Sequence, residues 1–248
     1  MISPTPKPAD APLRVLAETR RLPDHQHMDQ HTLAWIAGNR PAGSSVPATM
    51  PHRPALLVPD APWFASPAGF DSIHGVLHNA RVGLLVQLLA QHYELGRDQA
   101  LALAAAAACH DCRRRHDRDD PGHGERAARW LTDNLDTVTR AFGIPVTTGM
   151  ITAVALHDVP YDAFTDTQVS AYWQSPHLVD LLKAADALDR YRLPLRRWWP
   201  DPDRLRVALP TWLPPVAFDL VVHSEQARLD GADHGEALEH ALHTVLPD

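Results

Sequence analysis

Ser72-Ile-His-Gly-Val-Leu-His-Asn-Ala-Arg-Val-Gly-Leu-Leu-Val-Gln-Leu-Leu-Ala-Gln91 decides how the chain folds. Ile73, Val76, Leu77, Ala80, Leu84, Leu85, Leu88 and Leu89 recur at helical spacing, which predicts a helix over Ser72–Gln91. At that spacing His74, His78 and Arg81 share one face with Leu85. Polar groups set into a core-facing stripe need partners there. A metal supplies one for His78. Arg81 reads as an anion contact or a carboxylate partner.

Just downstream, Ala100-Leu-Ala-Leu-Ala-Ala-Ala-Ala-Ala-Cys-His-Asp111 predicts a second helix, Arg97–Asp111, closing on a His-Asp pair. Small alanines let neighbouring helices approach closely, which suits a site at the centre of a bundle. Asp120-Pro121 reads as an N-cap with proline at the first helical position, opening a helix through Leu131 or beyond. Gly149–Asp158, Val169–Arg192, Pro215–Leu229 and His234–Leu246 are further expected helices. Residues 1–69 are rich in proline. They are expected to form an extension that packs on the core, with short helices near Ala11–Arg20 and Met28–Ala37 and an irregular loop over Pro41–Phe70. Val207-Ala-Leu209 is the one weak strand candidate. The fold class that follows is all-α, with boundaries 1–69, 70–195 (the core) and 196–248 (a C-terminal helical segment).

Composition narrows the function. With 248 residues, 45% hydrophobic and 21% charged, the chain is of globular type and long enough to bury a sizeable core. A formal charge of −7 argues against general nucleic-acid binding, which leaves a basic footprint. The N-terminal residues show no signal peptide, and no apolar run approaches a membrane span, so a cytoplasmic protein is expected. Cys109 and Cys112 are too few for a disulfide framework and read as reduced, semi-buried thiols. Lysine occurs only at Lys7 and Lys183 among many arginines, which singles out Lys183.

His78, His110-Asp111, His123, His157 and Asp186 follow one another in the order H…HD…H…H…D. Neutral imidazoles and ionised carboxylates are the donors that borderline divalent metals accept, so the order reads as a metal site for one or two ions. Lys183, Asp186 and Asp189 share a helix face at i, i+3 and i+6. His157-Asp158 is itself a His-Asp pair, yet it lacks a second H-x-x-R-V segment beside it. His74 reads as a core histidine or a neighbour of the ligands.

Five segments together carry a resemblance: Ile73-His-Gly-Val-Leu-His-Asn-Ala-Arg-Val82; Cys109-His-Asp111 with Arg113-Arg114; Asp120-Pro-Gly-His-Gly124; His157; and Ala185-Asp-Ala-Leu-Asp-Arg190. Over about residues 70–195 the chain resembles the HD-domain superfamily of metal-dependent phosphohydrolases. The resemblance implies an HD-domain helical bundle in which His78, His110, Asp111 and Asp186 bind a first divalent ion (Mn, Fe, Mg, Co, Ni or Zn), with His123 and His157 completing a second site. It implies hydrolysis of a phosphomonoester or phosphodiester of a nucleotide or other small molecule. Asp111, Lys183 and Asp189 are the expected catalytic groups, with Arg81, Arg114 and Lys183 on the phosphate. Asp117, Asp120 and Asp189 are candidates to orient water or to hold the metal-bound histidines. The same ligand order also resembles HD-type mixed-valent diiron oxygenases, and a non-catalytic nucleotide-binding HD module is a third reading. The Glu-Asp pair that marks hydrolases of stringent-response nucleotides is absent, and Arg113-Arg114 stand in its place. A lid is expected from the N-terminal extension and from Asp162–Ser175. Oligomeric state is not encoded in any of these patterns.

Overall fold

Every regular element among the described residues, 11–43 and 52–246 of a computed structural model, is a helix. In chain order these are α1 (Leu13–Glu18), α2 (Gln30–Ala37), α3 (Pro67–Phe70), α4 (Val76–His92), α5 (Arg97–Ala107) and α6 (His123–Asp133). Then follow α7 (Leu135–Phe142), α8 (Thr148–Leu156), α9 (Asp166–Tyr172), α10 (Pro176–Asp189), α11 (Leu213–Leu229) and α12 (His234–Val245). The all-α expectation holds, and Val207-Ala-Leu209 is irregular. None of these helices is long and apolar enough to cross a membrane.

α4 is the axis of the bundle. All its residues from Val76 to Ala90 are buried, the mark of a helix surrounded by others rather than amphipathic at a surface. It packs against α5, α10, α11 and α12. Each fully buried leucine of this helix, such as Leu85 and Leu89, contributes roughly 1.5–3 kcal/mol. The alanines of α5 let it lie close, so that a Cβ at Gly83 would stand 3.4 Å from the Ala104 carbonyl oxygen. α6 packs on α8, and α8 on α10.

The N-terminal extension and the C-terminal helices join the same core. Asp29 caps α2 by accepting from the Thr32 N–H and also accepts from the Leu13 N–H, which ties α1 to α2. Leu33 and Ile36 of α2 are buried, and α2 rests on α11. Within Pro41–Phe70, expected to be irregular, Ala61–Trp63 and α3 form short helical turns; residues 44–51 lie outside the described residues.

Several expected boundaries move, and each shift matters for the site. α4 begins at Val76, so His74 stands in the turn before it rather than one helical turn from His78. α5 ends at Ala107, which leaves His110 and Asp111 on tight turns. α6 begins at His123 because Gly122 adopts a left-handed conformation (φ 75°), so Pro121 belongs to a turn. The single helix expected over Val169–Arg192 is broken at Trp173–Ser175 into α9 and α10, with Pro176 opening α10. α7 was not anticipated.

Candidate metal centre

Four histidines meet at the end of the bundle, and their tautomers are fixed by what lies behind them. The Nδ1 of His110 is 2.6 Å from the Ala107 carbonyl, that of His123 2.8 Å from the Asp120 carbonyl, and that of His157 2.7 Å from the Val154 carbonyl. The Nδ1 of His78 is 2.8 Å from Asp189 Oδ2. Carbonyl and carboxylate oxygens only accept, so each Nδ1 carries the proton. A ring protonated at Nδ1 alone presents an Nε2 lone pair.

Those lone pairs converge. His78 Nε2 and His110 Nε2 are 3.1 Å apart, and so are His123 Nε2 and His157 Nε2. Two lone pairs at that distance repel unless a cation lies against them. Asp111 stands between the pairs: Oδ2 is 3.4 Å from His78 Nε2, while Oδ1 is 3.0 Å from His123 Nε2 and 3.3 Å from His157 Nε2. Asp186 Oδ1 lies 3.4 Å from His78 Nε2 and 3.8 Å from His110 Nε2. Buried His/Asp groups of this kind can hold a metal ion. His78, His110 and Asp186 form one such group, and His110, Asp111 and His157 another. All six expected ligands are thus brought together.

Local sequence explains the convergence. His110 and His157 each follow the last turn of an alanine- or valine-bearing helix, where the carbonyl three residues back can accept from the ring. His123 opens α6, and Gly124 beside it allows α6 to touch α8. A Cβ at Gly124 would stand 2.6 Å from Asp158 Oδ1, 2.7 Å from the Val154 oxygen and 2.9 Å from His157 Nδ1.

Electrostatics keep the carboxylates charged. Burial resists ionisation of Asp111, but the Arg114 guanidinium and the surrounding histidines outweigh it and hold the carboxyl well below the usual range. Asp186 is likewise held low against its burial by His110 and His78. Burial also lowers His110, which keeps that ring neutral.

Three expected roles are corrected by placement. Arg81 is fully buried and touches no cleft: Nε and one terminal nitrogen donate to Asp189 at 2.7 and 3.0 Å, and the other donates to Glu225 Oε1 at 2.9 Å and Ser224 Oγ at 3.0 Å. Asp189 is fully buried too, and its Oδ2 lies against His78 Nδ1 rather than in the cleft. Lys183 Nζ donates to the carbonyls of His157 (3.0 Å) and Val159 (2.5 Å) and lies 4.7 Å from the Tyr161 ring centre, so its charge is spent on main chain behind the site. Burial lowers its pKa to about 8. Asp120 is occupied by the Arg115 N–H and by Arg126. Cys109 and Cys112 are free, fully buried thiols, pushed up by burial, and neither belongs to a metal-holding group among the described residues.

A cleft of about 840 Å³ opens on Asp111, His123, His157 and Asp186. Arg114 lines it as expected, with a guanidinium nitrogen 3.2 Å from His123 Nε2 and 3.7 Å from Asp111 Oδ2. Two residues were missed or undervalued. His74 lines the cleft with Nδ1 3.1 Å from Asp111 Oδ2, and groups with His78 and Asp111 as a further metal-holding set. Buried Arg192 donates to the Ile73 carbonyl at 2.7 Å and reaches His74 Nδ1 at 2.9 Å and His78 Nε2 at 3.4 Å. The sequence signal for Arg192 was its place three residues after Asp189. The extension contributes Ala17, Arg20, Leu22 and Gln26 to the cleft, whereas Asp162–Ser175, expected as a lid, does not line it. No family model, no curated protein and no solved structure matches this chain.

Proposed function

We propose that the chain is an HD-type, metal-dependent phosphohydrolase acting on a phosphate ester of a small molecule. The observation that carries this reading is the sharing of Asp111 between two pairs of Nε2 lone pairs at the floor of an arginine-lined cleft. The donor set fits divalent ions: His78, His110, Asp111 and Asp186 would hold one, and Asp111, His123 and His157 a second. Bound there, such ions supply water of lowered pKa and polarise a phosphoryl oxygen.

The chain's own residues supply the rest. Arg114, beside Asp111, is suited to bidentate contact with phosphate oxygens. Asp158 lines the cleft, and its Oδ1 is buried without a hydrogen-bond partner, which suits it to accept a proton from the attacking water. The water oxygen bonds to phosphorus, the ester P–O bond breaks, and the departing oxygen takes up a proton. Asp189 and the three carbonyls of Ala107, Asp120 and Val154 keep the donor nitrogens aimed inward throughout.

The test is turnover of phosphomonoesters and phosphodiesters with Mn, Fe, Mg, Co, Ni or Zn added to the full chain. Phosphate release by the wild-type chain and its loss in a folded His110→Ala variant support the reading. Equal activity in both overturns it, and so does oxygen consumption by the iron-loaded chain without phosphate release.

A further inference from the structure

Six arginines line the cleft, and they fall into two sets. Arg114, Arg192 and Arg118 are committed: the first lies against His123 and Asp111, the second against His74 and Ile73, and the third is paired with Asp24. Arg20, Arg190 and Arg197 have no carboxylate partner among the described residues. Arg20 and Arg197 are exposed and Arg190 is half-buried, so these three form the outer lining. The Arg197 guanidinium lies 5.3 Å from the Trp198 ring centre, on the wall of the same cleft.

In a chain of net charge −7, a basic face that is merely solvated would have acidic residues interleaved with it. The carboxylates of this cleft are mostly occupied elsewhere. Asp117 accepts from the Gln26 N–H and Ser72 Oγ; Asp158 accepts from the Gly122 N–H through one oxygen and keeps the other, buried one unpartnered; Asp119 is exposed. Arg20 adds an independent sign. It adopts a left-handed conformation (φ 57°) just past α1, the position where glycine is the unstrained residue. An arginine kept there gives up local ease for a guanidinium in the cleft.

The volume points the same way. About 840 Å³ takes a whole small molecule, since ligand sites run to roughly 300–1,000 Å³. Leu22, Ile73, Leu193 and Trp198 add apolar surface to the lining of the same cleft.

Resting on the phosphohydrolase reading, we infer that the substrate is a phosphate ester whose alcohol half carries a second anionic group, held by Arg20, Arg190 and Arg197. The scissile phosphate meets Arg114 and the histidine floor. The second anion, a phosphate or a carboxylate, sits at the outer arginines, with the body of the molecule against Trp198.

Calorimetric titration of the manganese-loaded full chain tests this without turnover. The probes are methylphosphonate and α,ω-alkanebisphosphonates with spacers of increasing length. The wild-type chain is expected to bind at least one bisphosphonate about tenfold or more tightly than methylphosphonate, the scale of one added charge-assisted contact. Arg190→Ala combined with Arg197→Ala removes that preference, while Arg196→Ala, on a side chain outside the cleft lining, keeps it. Equal affinity for the two probe classes in the wild-type chain overturns the inference, as does a preference that survives the double substitution. A preference that depends on these arginines, in a chain that hydrolyses no ester, instead refutes the phosphohydrolase reading and leaves two-anion recognition standing.

Discussion

His110, His123 and His157 are held from behind by the carbonyl three residues earlier in the chain, whereas His78 is held by Asp189, 111 residues away. The contrast follows from helix geometry. The first three sit at helix ends, where carbonyls are free of the repeating ladder or turned back by a tight turn. His78 sits in the first turn of α4, where the Gly75 carbonyl behind it is already taken by the N–H and side chain of Asn79. Its ring finds a distant acceptor instead. Asp189 is in turn held by Arg81, and Arg81 by Glu225 and Ser224 of α11. Three of the four histidines are thus set by local main chain, and the half that holds His78 depends in addition on a buried ion relay running into the C-terminal helices.

The contrast can be broken at the point where the halves meet. Asp111→Ala removes the carboxylate shared by both, so phosphatase activity is expected to fall at least about 100-fold, beyond what loss of a supporting partner causes. Metal content measured on the folded variant checks that the loss arises at the centre. The halves can then be separated. Asp189→Ala removes the buried carboxylate that Arg81 and His78 share, leaving Arg81 with Glu225 alone, and is expected to destabilise by about 3–5 kcal/mol in thermal or urea unfolding. The milder Asp189→Asn keeps the shape, weakens the His78 group for metal by about 10–100-fold, and spares the His123–His157 pair. Equal weakening of both halves would contradict the division.

Acid should expose the same relay. Burial opposes the charge of Asp189, but Arg81 and the hydrogen bond from His78 hold its pKa to about 2, below the ordinary 3.8. Between those values the unfolded chain binds the proton and the folded chain does not. Stability from this group is therefore present above about pH 4 and is lost as pH falls toward 2, roughly 2 kcal/mol in all. In metal-free protein, unfolding followed by circular dichroism should show that slope in the wild-type chain and lose it in Asp189→Asn. On the local side, Gly124→Ala forces α6 from α8 and is expected to cost about 1–3 kcal/mol and to impair the His123–His157 pair first. Lys183→Met should have the smallest effect. Its ammonium serves the His157 and Val159 carbonyls, so KM for a phosphate ester should stay within about twofold, inside the ±0.5 kcal/mol of a site with no direct role. A tenfold rise in KM would return Lys183 to the phosphate.

The local half was legible in the sequence and the relay was not. His110 and His157 announce themselves by following alanine-rich or apolar helical runs, and His123 by its Pro-Gly-His-Gly setting. The six donors could be named from their order along the chain and from the resemblance that the five segments carry. Of the two readings of Arg81, the carboxylate partner holds and the phosphate contact does not, because spacing shows that a side chain faces inward but not what awaits it there. Its partners Ser224 and Glu225 come from a segment 143 and 144 residues away. His74 was undervalued for the opposite reason. Helical spacing put it one turn from His78, but α4 starts two residues later, and the preceding turn carries the ring to Asp111. The outer arginines were invisible because Arg20 lies just past α1, Arg190 just past α10 and Arg197 in a later turn, which only the packed bundle brings to one cleft.

The central claim is that Asp111 is shared between two metal-holding groups, one of which leans on α11. Anomalous diffraction from crystals of the manganese- or iron-loaded chain tests it most directly. The expected result is two peaks, one against His78, His110 and Asp186 and one against His123 and His157, with an Asp111 oxygen on each. A single peak that leaves either histidine pair without metal, or no peak at these residues in loaded protein, would contradict the account.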